Sequence, residues 1–221
     1  MSWAKALIVL EGYGAVQVFS ENAGLLLLEC AIPGTSLKSY FPEKDDEAIN
    51  ITANVIKRLH KAPIPSAYVF PHIKDWLAAL AGDLKIPAQY LQKARTLCDQ
   101  LLKTAGPDVL LHGDLHHDNI LQNGKTWVVI DPKGVIGELA YEVVAFIKNP
   151  IPDLLSVQNA AEIIQNRIAL FSDSLNIPKA RIAGWCFVQV VLAWIWALED
   201  NCETSCFEKL TRLFDGIHLN M

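Results

Sequence analysis

The sequence predicts an α+β protein with strands gathered at its start and around one loop, and helices making up most of the rest. Three observations carry this. Residues 1–32 hold two short apolar runs separated by glycine-containing turns, the pattern of a hairpin. Residues 33–221 hold longer stretches with apolar residues at helical spacing, most of them bounded by Gly or Pro. Within that helical part, Val109-Leu110-Leu111 and Val128-Val129-Ile130 enclose a loop crowded with acids, imidazoles and an amide.

Taken in order, Ala6 to Leu10 either ends a helix or forms a strand, and Gly12-Tyr13-Gly14 turns the chain into a strand over residues 15–19. Asn22-Ala23-Gly24 turns it again into Leu25 to Cys30, an unbroken apolar run expected to be covered by its surroundings, and Pro33-Gly34 closes it. Residues 45–61, with Ala48, Ile49, Ile51, Ala53, Val55, Ile56 and Leu59 as their apolar residues, predict a helix. His60 and Lys61 sit in its last turn ahead of Pro63, so His60 reads as a helix-end cation. His72 to Leu80 predicts a short amphipathic helix ending at Gly82. Pro87 opens a longer one through Lys103, closed by Gly106-Pro107.

Beyond the central loop, Glu138 to Lys148 reads as helical until Asn149-Pro150-Ile151-Pro152 breaks it. Residues 153–175 read as one long helix, Pro178 starts another that runs to Asp200, and residues 203–217 add a last one. The apolar segment Ile182–Leu198 spans 17 residues, short of the roughly 20 that cross a bilayer. It predicts a core helix, and no membrane partner is expected.

A hydrophobic content of 52% supports a large core. The net charge of −5, without any basic block, argues against nucleic acid as a partner and is compatible with a cationic ligand. Five scattered cysteines, Cys30, Cys98, Cys186, Cys202 and Cys206, complete no zinc pattern and predict reduced thiols in the cytoplasm. No signal-peptide core is expected at the start, which breaks at Glu11-Gly12.

The central loop carries the chemistry. Phosphoryl transfer needs a carboxylate beside the attacking hydroxyl and oxygen ligands that hold magnesium against the phosphates. His112-Gly113-Asp114 with Asn119 five positions on has the spacing of a catalytic Asp and a metal-binding Asn, and Asp131 follows the next strand as a second metal ligand would. Asp114 is therefore the candidate base, with Asn119 and Asp131 the candidate magnesium ligands.

These residues, together with Asp131-Pro132-Lys133-Gly134-Val135-Ile136-Gly137-Glu138, Ala140-Tyr141-Glu142 and Trp196-Ala197-Leu198-Glu199-Asp200, give the chain a resemblance to a known family. It resembles the aminoglycoside phosphotransferases of the protein-kinase-like superfamily, most of all the streptomycin-kinase and hydroxyurea-resistance kinase group, over about residues 7–215. The resemblance implies a protein-kinase-like fold: a truncated β small lobe and hinge over residues 1–32, and a mainly helical large lobe with the catalytic loop over 33–221. It implies ATP and Mg2+ as cofactors, with Glu29 and Ala31 in the backbone stretch that meets adenine. It implies a small-molecule alcohol as substrate, cationic if Glu199 and Asp200 receive an ammonium or guanidinium group. His116 and His117 stand beside the base, one toward substrate and the other toward solvent. His112 braces the loop, Glu138 and Glu142 tie the following helix to it, and Lys133 reaches a phosphate or lies in water.

The chain departs from the kinase pattern in one respect. No Gly-rich loop precedes residue 12, and Lys5 lacks the context of the phosphate-binding strand lysine. These 221 residues alone are thus expected to phosphorylate poorly, and to self-associate through an exposed sheet edge. Two other readings are weighed against the kinase. A zinc or metallophosphoesterase site would want an Asp-x-His pair early in the chain, and residues 1–111 contain none. A non-catalytic nucleotide-binding or interaction module is the alternative from a different class.

Overall fold

The computed structural model describes residues 2–22, 24–66, 69–82 and 85–217. Helix α1 (Ser2–Leu10) leads through a tight turn to a hairpin of β1 (Val18–Asn22) and β2 (Leu25–Leu28). The stretch from Ala6 to Leu10 thus ends a helix. Strand β3 (Pro33–Ser36) and a 3-10 turn precede α2 (Asp45–Leu59), then come α3 (Ile73–Leu77), α4 (Ala88–Lys103) and β4 (Asp108–Leu111). After the loop come β5 (Ile120–Asn123), β6 (Thr126–Val129) and β7 (Val135–Glu138). The short α5 (Leu139–Glu142), α6 (Val144–Ile147) and α7 (Asp153–Ser156) follow. The long α8 (Ala160–Leu175), α9 (Lys179–Glu199) and α10 (Ser205–Asp215) complete the described chain.

The strands form three small antiparallel groups: β1 with β2, β3 with β5 and β6, and β4 with β7. The expectation that Leu25 to Cys30 is covered does not hold. Leu26 and Leu28 lean on the core, but Leu25 and Leu27 are 77% and 61% exposed. A two-stranded ribbon has the body of the protein on one face only, and among the described residues nothing packs on the other.

Two further expectations are corrected. Residues 153–175 are two helices, because Val157 is extended and α8 restarts after Asn159. Val and Asn are weak helix formers, the first through branching and the second through competing side-chain hydrogen bonds. Residues 135–138, whose last member was assigned to a helix, form β7. Gly137 in it allows a close approach: a Cβ there would lie 2.7 Å from Ile73.

Helix α9 is the core. Its side chains are buried almost throughout, against α4, α5, α8 and α10. It is long and apolar enough to cross a membrane, yet 78% of the relevant window is buried inside the fold. Its apolar character is explained by that position.

A buried ion pair clasps the helices beneath the loop. Arg167 on α8 has no exposed surface, and its Nε and Nη2 donate to the Asp45 carboxylate at 2.8 and 2.6 Å. Its Nη1 donates to the carbonyls of Phe146, Ile147 and Asn149 at the end of α6. His117, from the loop, stacks on Phe146 with ring centroids 3.8 Å apart and lies 4.0 Å from Asp45. Burial pushes the His117 pKa down to about 4, against the pull of Asp45.

The sign of the pH dependence follows. The unfolded chain binds a proton at His117 near the ordinary value of 6.5, and the folded chain refuses it until about 4. Stability is therefore full above pH 6.5 and falls as pH drops toward 4. The expected loss between pH 7.5 and 4.5 is about 2–3 kcal/mol from this group. Urea denaturation at the two pH values should show it, and His117→Phe should lose less over the same range.

Candidate active site

The loop between β4 and β5 is held from below by one carboxylate. Glu142, at the end of α5, accepts the N–H of His112 at 2.7 Å and the N–H of Gly113 at 3.0 Å. His60, at the end of α2, adds its Nε2 at 3.3 Å. Burial alone would raise the Glu142 pKa, but the His60 contact, the nearby His112 and the Gly113 amide together hold it below the ordinary range. Glu142 is thus a buried anion that exists to receive the loop. His60, read from sequence as a helix-end cation, is one of its partners.

His112 is the second clamp. Its Nε2 lies 2.8 Å from the Ile130 carbonyl, and its Nδ1 accepts the Asp114 N–H at 3.3 Å. Burial lowers its pKa, the Glu142 charge opposing. The ring is accordingly neutral, with its proton on Nε2. The His112 carbonyl accepts from the N–H of Lys133 at 2.7 Å and of Gly134 at 3.3 Å, which clips the segment after β6 to the loop. Gly113 sits at φ +82, and a Cβ there would come within 2.9 Å of Val135. Only glycine lets the loop pass so close.

These clamps bring the predicted residues together. Asn119 donates its amide nitrogen to the Asp114 carbonyl at 2.9 Å and approaches His116 Nε2 at 3.3 Å, which leaves its amide oxygen for a cation. Asp131, at φ +54, meets Lys133 Nζ at 2.8 Å, and the same Nζ is 3.6 Å from Asp114 Oδ2. Lys133 therefore bridges the two carboxylates. Burial acts to lower its pKa, but Asp131 and Asp114 outweigh this and raise it. Sequence reasoning offered phosphate or solvent for this lysine and missed the bridge.

The Asp131 carboxylate and the Asn119 amide oxygen are hard donors of the kind magnesium takes alongside phosphate and water oxygens. Among the described residues no group of three or more His, Cys, Asp or Glu side chains gathers as a metal cluster. A cation held by Asn119 and Asp131 would take further oxygens from its ligand and from water.

Beside the loop opens a cavity of about 790 Å³ with aromatic walls that include Trp76, Trp196 and Phe207. Asp114 and His116 face it from the loop, Lys133 from the segment after β6, and Asp200 from the end of α9. Several sequence expectations need correction. His117 does not face substrate or solvent; it is buried in the Asp45–Arg167 cluster, and His116 alone of the pair lines the cavity. Glu199 is exposed and does not line the cavity, because the end of α9 turns only its neighbour inward. Glu138 does not brace the loop: it accepts from Arg181 twice at 2.8 Å, from the Trp185 indole and from the Gly106 amide at 3.3 Å, joining β7 to α9 and the end of α4. Glu29 is engaged by the Asn123 side chain at 2.7 Å and the Gln17 amide at 3.1 Å. Next to it, the Ile32 amide binds Asn123 Oδ1 at 3.2 Å, so the segment carrying Ala31 is tied to the β5–β6 turn. Lys148 and Gln189 also line the cavity and were not singled out, since neither stands in a motif.

The architecture matches solved structures closely enough to define the fold. A choline/ethanolamine kinase family protein from Mesorhizobium loti superposes with a TM-score of 0.68 at 15% identity, covering 97% of this chain and 76% of that one. A thermostable mutant of the aminoglycoside phosphotransferase APH(4)-Ia, solved with AMP-PNP and hygromycin B, gives 0.66 at 14% identity, covering 97% and 81%. Fold and loop together define a small-molecule phosphotransferase of protein-kinase-like fold. More narrowly, the chain belongs to the aminoglycoside/hydroxyurea antibiotic resistance kinase family, whose profile matches residues 2–201. It is 29% identical to a streptomycin 3''-kinase of Klebsiella pneumoniae over 202 residues, covering 86% of this chain and 73% of that protein. It is 26% identical to a streptomycin 6-kinase of Streptomyces griseus over 205 residues, covering 86% of this chain but 64% of that protein. A hydroxyurea phosphotransferase of Kitasatospora aureofaciens is 26% identical over 207 residues, 89% of this chain and 58% of its own length.

The Glu142 anchor yields a test. Glu142→Gln places an NH2 donor against backbone donors and removes the charge that His60 faces. A hydrogen bond to a charged group contributes about 1.5–3 kcal/mol, and urea denaturation should read a fall of that order. Hydrogen exchange should show the His112 and Gly113 amides losing protection while α9 keeps its own.

Proposed function

We propose that this chain carries out ATP-dependent phosphoryl transfer to an alcohol group of a small, aminoglycoside-like molecule, as an antibiotic-resistance kinase. The observation that carries the reading is the pair Asp114 and Asp131, bridged by Lys133 beside a cavity large enough for a small molecule. Asp114 takes the proton of the acceptor hydroxyl at its carboxylate as that oxygen bonds to the terminal phosphorus of ATP, the bond from this phosphorus to the β–γ bridging oxygen breaks, and ADP leaves. Asn119 and Asp131 would hold Mg2+, which supplies charge neutralisation at the transferring phosphate. Lys133 keeps the two carboxylates in register and presents its ammonium on the same side.

The nucleotide end of the site rests on the backbone of residues 29–32, Ala31 included, as the surface for adenine. The Glu29 carboxylate serves to hold that segment, because Asn123 and Gln17 already occupy it. His116 lines the acceptor side, and Asp200 supplies a carboxylate for a cationic group of the substrate. We place residues 1–32 as the small-lobe and hinge unit and residues 33–221 as the large-lobe unit. Five free cysteines and the use of ATP suit the cytoplasm. The outer face of the hairpin, with Leu25, Leu27 and the 57% exposed Phe19, supports self-association there. A nucleotide-binding module without turnover is the competing assignment.

Two substitutions separate the roles. Asp114→Asn should lower kcat by about 10²–10⁴-fold while calorimetry finds MgATP affinity within twofold of wild type. Asp131→Asn should instead weaken MgATP binding itself. Equal loss of nucleotide affinity in both would defeat the division of labour, and binding without turnover in the wild type would favour the non-catalytic module.

Asp200 gives a second test. Streptomycin binding should weaken as salt rises, since exposed charge pairs are screened. Asp200→Asn should flatten that dependence, while Glu199→Gln, outside the cavity, should leave it in place.

A further inference from the structure

The carboxylates of the central site already hold a cation, and it belongs to the chain itself. Lys133 Nζ lies 2.8 Å from Asp131 Oδ2 and 3.6 Å from Asp114 Oδ2. The side chains that suit a divalent ion stand on the adjoining segments. Asn119 is tied through its amide nitrogen to the Asp114 carbonyl at 2.9 Å, and its backbone carbonyl accepts the Ile130 N–H at 3.1 Å, next to Asp131. Two carboxylates and an amide oxygen thus share one region with one ammonium.

Only the side chain of Lys133 has room to move. Its N–H and that of Gly134 both donate to the His112 carbonyl, at 2.7 and 3.3 Å. Pro132 before it is buried, and a Cβ on Gly134 after it would lie 2.7 Å from Ala6. The backbone is therefore fixed on both flanks. The Lys133 side chain, by contrast, is 44% exposed, and those of Asp114 and Asp131 are 35% and 55% exposed. A point charge on a flexible four-carbon stem can pass from one anion to another without any change in the main chain.

Electrostatics decides which cation stays. Asp131 would offer a magnesium ion either the oxygen that Lys133 holds or its neighbour in the same carboxylate, and both choices leave the ion beside the ammonium. Three positive charges against two carboxylates are an unfavourable excess at such range. A bare ion would also give up part of a tightly held hydration shell. Nucleotide phosphates reverse the balance. They bring the metal partly dehydrated, add oxygens to it, and receive the displaced ammonium in charge-assisted hydrogen bonds.

We propose that Lys133 is a built-in counter-ion of the metal site, which keeps free divalent ions off Asp114 and Asp131 and yields to a metal ion that arrives on nucleotide phosphates. This rests on the assignment of Asn119 and Asp131 as metal ligands and deepens it. Lys133 is then a positioning residue that selects the metal–nucleotide complex over the bare ion.

The test reads metal binding rather than turnover. Manganese, standing in for magnesium, is titrated into the full chain, and the free ion is followed by its electron paramagnetic resonance signal. Binding of AMP-PNP with Mg2+ is measured by calorimetry on the same samples. Wild type is compared with Lys133→Met, Lys133→Arg, and Lys133→Met combined with Asp131→Asn. Lys133→Met should bind free Mn2+ about three- to tenfold more tightly than wild type, the scale of a partly exposed ion-pair network. It should bind Mg2+–AMP-PNP about three- to tenfold more weakly, because charge-assisted hydrogen bonds to phosphate are lost. The two changes have opposite signs, whereas damage to the fold would weaken both. Lys133→Arg keeps the positive charge and should bind free Mn2+ as weakly as wild type. The double variant should lose the gained Mn2+ site, which assigns that site to Asp131. Unchanged Mn2+ affinity in Lys133→Met, an equal gain in Lys133→Arg, or a gain that survives Asp131→Asn overturns the proposal. Weaker binding of both probes in Lys133→Met, or an undiminished affinity for Mg2+–AMP-PNP, also overturns it. A wild type that never binds Mg2+–AMP-PNP, with the Asp131-dependent Mn2+ gain intact, would defeat the kinase reading and leave the exclusion of free ions standing.

Discussion

The site depends on a buried anion. Glu142 is out of water, yet it is ionised because two backbone N–H groups of the loop and the His60 ring surround it. Desolvating a carboxylate is costly, and the cost is offset only if the loop arrives in one position. The requirement works in both directions. The loop satisfies Glu142, and Glu142 fixes the backbone from which Asp114 projects. His112 then extends the order to the segment after β6, through its contacts with the Ile130 carbonyl and with the amides of Lys133 and Gly134. Asp114, Asn119 and Asp131 come from different segments, yet the backbones that carry them are registered to one another by the buried Glu142 and His112 side chains and by the His112 carbonyl.

A second clasp lies beneath the first. Asp45, Arg167 and His117 tie α2, α8 and the end of α6 to the far side of the same loop. The loop is thus gripped at His112–Gly113 by one buried carboxylate and at His117 by another's surroundings. Between these grips only Asp114, Leu115 and His116 span the gap, and Leu115 is itself buried. Asp114 has little freedom left. On the proposed reading, a carboxylate held this way needs little reorganisation to meet a hydroxyl, which is where positioning would contribute to phosphoryl transfer.

Much of this was legible in the sequence, for physical reasons. The helices announced themselves through apolar period and Pro or Gly boundaries, and the central loop through the clustering of Asp114, Asn119 and Asp131. What failed were inferences that needed a partner surface. Leu25 to Leu28 has the composition of a covered strand, but composition cannot say whether a second layer is there to cover it. His116 and His117 are adjacent and chemically alike, and only the packing of Phe146 and Arg167 decides that one goes inward. Glu138 and Glu142 stand four positions apart, the first ending β7 and the second ending α5. The pairing of β4 with β7 sends the first toward Arg181 and the second toward the loop. Lys148 and Gln189 carried no signal, because a single lysine or glutamine in an apolar stretch has no pattern to betray it.

The charge layout of the cavity adds a constraint that the loop alone does not impose. Asp114 lies 3.6 Å from the ammonium of Lys133, which bridges it to Asp131, and Lys148 lines the same cavity. The carboxylate is thereby kept from acting as a free anionic receptor. A cationic substrate group drawn to it would have to displace Lys133 or approach Lys148, and both cost Coulomb energy in a partly desolvated space. Asp200, at the exposed end of α9, has no ion-paired partner among the described residues. The two acids of the cavity are therefore not equivalent. On the proposed reading, the screened acid meets a neutral hydroxyl and the open one a positive charge. An acceptor carrying both kinds of group can then enter in one orientation, with the hydroxyl, rather than the amine, delivered to the base.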